Sequence, residues 1–140
     1  MTALGIHPLS GALGAEIGGV DLAAPLSEKL VAKLRDALLA HQVIFFRAQH
    51  LDLEGLESLG RRFGPLQVHP FHPHVEGHPE VLLLEAGQDR PAVANVDSWH
   101  SDLTGLAAPP LGSILYAVEV PAVGGDTIFA SGYAAYDALS

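Results

Sequence analysis

The apolar residues of this chain change period several times, and each change marks an element. Residues 3–8 and 13–20 read as two short strands, with the glycines Gly11, Gly14, Gly18 and Gly19 at turn positions of a hairpin. Over 27–41 the period lengthens. Leu30, Leu34, Ala37 and Leu38 fall at i, i+4, i+7 and i+8 behind Ser27, which predicts a capped helix with one apolar stripe. Residues 43–47 return to a short apolar strand, with Phe45 and Phe46 as core residues. Leu53, Leu56, Leu59 and Phe63 define a second helix over 52–63, stopped by Gly64-Pro65. Further strands are predicted at 80–85, 95–103, 111–120 and 127–131. The longest carries Ile114, Tyr116 and Val118 on one face. Residues 133–140 read as the start of a helix with no cap or stop signal, so the ending looks cut.

Between the second helix and the later strands lies His69-Pro70-Phe71-His72-Pro73-His74, followed by His78-Pro79. The prolines fix an irregular, extended loop. Four histidines in ten residues invite a metal reading, but the bent backbone gives no i, i+4 pairing and Glu76 is the one nearby carboxylate. Solvated or pocket-lining imidazoles are the expectation.

Composition narrows the function classes. Sixteen acidic residues against seven Lys plus Arg give a net charge of −9 over 140 residues, which argues against a nucleic-acid or anionic-membrane partner. With no cysteine, disulfides are excluded and any metal must be held by nitrogen and oxygen. The apolar runs at 81–84 and 114–118 are far too short to span a bilayer. The first residues lack the charged and apolar blocks of a signal peptide. A soluble cytoplasmic protein is expected, with a homo-oligomer compatible with the sequence.

The candidate chemistry lies at Trp99-His100-Ser101-Asp102. In an extended strand positions i and i+2 share a face, so the His100 imidazole and the Asp102 carboxylate would project together and close on one ion. They supply two thirds of the 2-His-1-carboxylate triad that holds non-haem Fe(II) with positions open for substrates. By spacing alone, a structural hydrogen bond between the two is the commoner reading. Other chemistries lack their motifs: there is no G-x-S-x-G, no P-loop, no H-E-x-x-H and no G-x-G-x-x-G.

Taken together, Trp99-His100-Ser101-Asp102-Leu103-Thr104, Pro109-Pro110-Leu111-Gly112-Ser113, Pro121 and Gly124-Gly125-Asp126-Thr127 resemble the TauD/TfdA family of Fe(II)- and 2-oxoglutarate-dependent dioxygenases. Arg62-Phe63-Gly64 and His69-Pro70 extend the likeness over nearly the whole chain. The resemblance implies an α+β fold: a double-stranded β-helix (jelly roll, clavaminate synthase-like), incomplete here, with helices packed on the sheet. It implies His100 and Asp102 as iron ligands, Thr127 as a 2-oxoglutarate contact, and His69, Asn95 and Leu103 as substrate contacts. The implied reaction consumes O2 and 2-oxoglutarate. It hydroxylates a small organic acid such as a taurine-like sulfonate, and the product then breaks a C–heteroatom bond. His72 and Gly105 stand where the family has aromatic rings, which widens the expected substrates to sulfate esters and aryloxy acids. The family's third ligand, a later histidine, and its 2-oxoglutarate arginine have no counterpart, since all eight histidines lie at or before 100 and the last arginine is Arg90. The resemblance therefore implies that residues 1–140 are the truncated N-terminal portion of a single dioxygenase catalytic domain, inactive alone. The alternative is a non-catalytic, β-rich small-molecule binding module.

Overall fold

A computed structural model describes residues 4–84 and 99–139. Its elements, in chain order, are β1 (Gly5–Pro8), β2 (Ala15–Gly18), α1 (Glu28–His41), β3 (Ile44–Phe45), α2 (Leu53–Arg61) and α3 (Gly132–Asp137). They divide into two units, one of Met1–Leu51 with Ala117–Ser140 and one of Asp52–Tyr116.

The first unit is built on a three-stranded sheet in the order β1-β2-β3. β1 runs antiparallel to β2, from Gly5 opposite Gly18 to Pro8 opposite Ala15. Within the connecting loop, Ser10 Oγ accepts from the amides of Ala12 and Leu13 and donates to the Leu13 carbonyl. Gly14 ends the loop at φ +92°, a conformation that side chains disfavour, and its N–H donates to the His41 carbonyl at 2.8 Å. β2 then runs parallel to β3, Ala15 opposite Ile44 and Glu16 opposite Phe45. Parallel neighbours need a long crossover, and α1 is that crossover.

Ala15 and Ile17 alternate inward from β2 and form the core of this unit with Leu22, Val31, Leu34 and Ala37. The buried stripe of α1 is thus i, i+3, i+6, turned slightly from the expected one, so that Val31 is buried and Leu30 half-buried. Ser27 caps α1 as expected, accepting from the Leu30 amide. The helix ends at Gln42, whose φ of +66° lets its N–H reach the Leu38 carbonyl at 2.7 Å. Ser131 caps α3 and donates to Gln42 Oε1 at 2.8 Å, while Phe129 meets Phe45 edge-on at 5.9 Å. Gln49 ties the chain after β2 to the chain after β3. Its amide donates to the Val20 and Arg47 carbonyls and its oxygen accepts from the Leu22 amide.

In the second unit α2 is capped by Asp52, which accepts from the Gly55 amide at 2.7 Å. Leu59 and Gly60 are buried, while Leu53, expected inward, is exposed. A Cβ on Gly60 would come within 2.7 Å of Leu66 Cδ2, so the glycine admits Leu66 against the helix.

Among the described residues, four expected strands find no counterpart. The described parts of 80–85 and 95–103, and all of 111–120 and 127–131, lie outside any ladder. Alternation marks a face but supplies no partner, and a strand forms only where another backbone takes its hydrogen bonds. Among the described residues these segments join no ladder, and Ile114, Val118 and Ile128 are exposed. The α+β class holds, but the jelly roll does not appear among the described residues, whose sheet has three strands. No helix of the described residues is long and apolar enough to cross a membrane.

Candidate metal and substrate site

The second unit brings His100 and Asp102 together. His100 Nε2 lies 3.4 Å from Asp102 Oδ1, with both side chains more than half exposed. The segment is not the strand the spacing suggested. It is irregular backbone entering a turn, in which the Leu106 amide donates to the Leu103 carbonyl at 3.2 Å. Leu103, half-buried, has φ +50°, a left-handed conformation rare for a leucine. The convergence comes from the turn rather than from a pleat.

Each oxygen of Asp102 has a separate neighbour. Oδ1 faces His100, and Oδ2 accepts a 2.7 Å hydrogen bond from Ser113 Oγ. Two donors bound at roughly 2.1 Å to adjacent positions of one ion stand about 3 Å apart, close to the observed spacing. An imidazole nitrogen with a carboxylate oxygen also suits a first-row divalent metal, so the pair fits two positions of such a centre. Among the described residues no group of three His, Asp or Glu side chains gathers to complete it.

His69 is fixed by its own loop. Its Nδ1 accepts from the amides of Phe71 at 3.2 Å and His72 at 3.1 Å, and its ring lies 4.5 Å from that of His72. With Nδ1 taken up as an acceptor, Nε2 is the ring nitrogen left to donate. His69 therefore presents a donor, suited to an anionic oxygen.

The far end of this loop is fastened to α2. Glu57 Oε1 takes a 3.0 Å hydrogen bond from His78 Nδ1, and Oε2 one of 3.3 Å from Arg61, whose other nitrogen lies 3.8 Å from Glu80. The His78 hydrogen bond, assisted by Arg61, holds the Glu57 carboxyl below its ordinary value despite the opposing effect of desolvation.

Thr127 belongs to the first unit. It is exposed and follows Gly124 and Gly125, both at positive φ. Asn95 lies outside the described residues. In the sequence Ser113 stands within the family-like segment 109–113 with no role assigned, and Glu57 is not singled out. The i, i+4 spacing of Glu57 and Arg61 was a readable signal, whereas no spacing tied Ser113 to Asp102.

Residues 5–140 match the taurine catabolism dioxygenase TauD, TfdA family. The chain is 42% identical over 137 residues to an alpha-ketoglutarate-dependent sulfate ester dioxygenase of Pseudomonas putida, covering 97% of this chain and 44% of that protein. It is 37% identical over 137 residues to an alkylsulfatase of Acinetobacter baylyi, covering 97% of this chain and 42% of the relative. Among solved structures, a taurine dioxygenase from Burkholderia xenovorans superimposes with a TM-score of 0.64 at 38% identity, covering 78% of this chain and 38% of that one. An α+β chain with a histidine and an aspartate converging beside a turn is thus placed among oxygenase relatives. The chain belongs to the TauD/TfdA family. It spans less than half the length of these curated relatives.

Proposed function

We propose that this chain is part of an Fe(II)- and 2-oxoglutarate-dependent dioxygenase of the cytoplasm. Its substrate is a small organic acid bearing a sulfonate or sulfate ester. The observation that carries the reading is the 3.4 Å approach of His100 Nε2 to Asp102 Oδ1 in a member of this family. The relatives' names, which include a sulfate ester dioxygenase and an alkylsulfatase, support the substrate class.

When bound, iron with 2-oxoglutarate and O2 supplies the oxidising power for hydroxylating a C–H bond. His100 and Asp102 would hold such an ion, one through an imidazole nitrogen and the other through a carboxylate oxygen. Thr127 offers a hydroxyl to a carboxylate of 2-oxoglutarate. His69, with its proton on Nε2, donates to the substrate's anionic group and so orients the carbon to be hydroxylated. Asn95 and Leu103 complete the substrate contacts. Hydroxylation at a carbon bearing the sulfur-oxygen group gives a product that breaks down and releases it. The fold of the catalytic domain is the double-stranded β-helix, to which residues 1–140 contribute the N-terminal part.

The product of the complete open reading frame is expected to form succinate from 2-oxoglutarate in an iron-dependent reaction stimulated by alkyl sulfate esters or sulfonates. His100→Ala should lower the rate by at least about 100-fold, the scale expected when a metal ligand is lost rather than a supporting contact. A rate that His100→Ala leaves intact overturns the ligand assignment. The 140 residues alone carry two of three donors and are expected to release no succinate above a His100→Ala control.

A further inference from the structure

We propose that Ser113 is a positioning residue for the metal, its hydroxyl holding Oδ2 of Asp102 so that the carboxylate meets the ion through Oδ1 alone. The inference rests on the reading of Asp102 as a ligand and adds a residue to it. The Ser113 Oγ–Asp102 Oδ2 distance of 2.7 Å is that of a hydroxyl donating to a charged carboxylate. The other oxygen is the one turned to His100. A carboxylate turns easily about its last torsion. Without a partner on Oδ2 it is able to rotate and chelate through both oxygens, occupying a position that cosubstrate or oxygen needs.

Ser113 is in turn held from both sides. Pro109-Pro110 stiffen the backbone that leads to it. The next residue, Ile114, has its Cδ1 3.8 Å from the point a Cβ would occupy on Gly60 of α2. The hydroxyl therefore reaches Asp102 from a segment seated against a helix.

The test is Co(II) binding to the 140-residue chain, followed by calorimetry and by the visible d–d absorption, for the unaltered chain, Ser113→Ala, Ser113→Thr, Asp102→Ala and His100→Ala. Circular dichroism checks that each variant folds. The expected result is an affinity about 10-fold weaker in Ser113→Ala, the lower end of the range for a lost partner of a metal ligand, together with a changed d–d spectrum. Ser113→Thr, which keeps the hydroxyl, should restore both. A Ser113→Ala chain with unaltered affinity and spectrum, while Asp102→Ala abolishes binding, overturns the role of Ser113 and leaves the ligand reading standing. Unaltered binding in Asp102→Ala and His100→Ala overturns the ligand reading and the proposal with it.

Discussion

Gln49 does with one side chain what another rung of the sheet would do. It gives hydrogens to the Val20 and Arg47 carbonyls and takes one from the Leu22 amide, joining the two stretches that leave β2 and β3. Gln49→Glu keeps the shape but removes both donors, and leaves a carboxylate facing two carbonyl oxygens. The expected cost is about 1–3 kcal/mol, read as a lower denaturation midpoint, whereas Gln49→Glu without effect would show the tie to be idle. No sequence pattern announces such a residue, because two of its three partners are backbone groups 27 and 29 positions away. Ser27 was legible for the opposite reason, since a cap acts on an amide three positions ahead. His100 and Asp102 stand between these cases. Their spacing revealed that they meet, but the turn and the left-handed Leu103 that bring them together are not written in an i, i+2 pattern.

At the scale of elements, α2 holds the histidine loop through Glu57. Because the folded state lowers the Glu57 pKa, chiefly through His78, this link is fully present above the ordinary glutamate range. It is lost as pH falls through the lowered value, when the carboxyl takes a proton and releases both partners. The melting temperature should therefore fall on acidification, and Glu57→Gln should flatten that part of the curve. An acid limb of the same steepness in Glu57→Gln would locate the pH dependence elsewhere. Arg61, half exposed, adds less than His78. Helices were read well from sequence because their hydrogen bonds are internal to the segment. The strands at 111–120 and 127–131 were not, since a ladder needs a second backbone that periodicity does not supply.

For the whole molecule, family membership rests on likeness over residues 5–140. The structure adds a division of labour that the sequence did not suggest. The proposed metal pair, its serine and the histidine loop all belong to the unit Asp52–Tyr116, while Thr127 belongs to the unit carrying the sheet. That sheet ends at β3, which pairs with β2 on one side and, among the described residues, with nothing on the other. Ile44, Phe45 and the adjoining Phe46 thus line a row of backbone groups able to template a neighbouring molecule. Concentrated solutions of the 140-residue chain should scatter light increasingly with time. Placing a lysine there, as Phe46→Lys, should slow that growth by making each new copy bring an unwelcome charge to the seam.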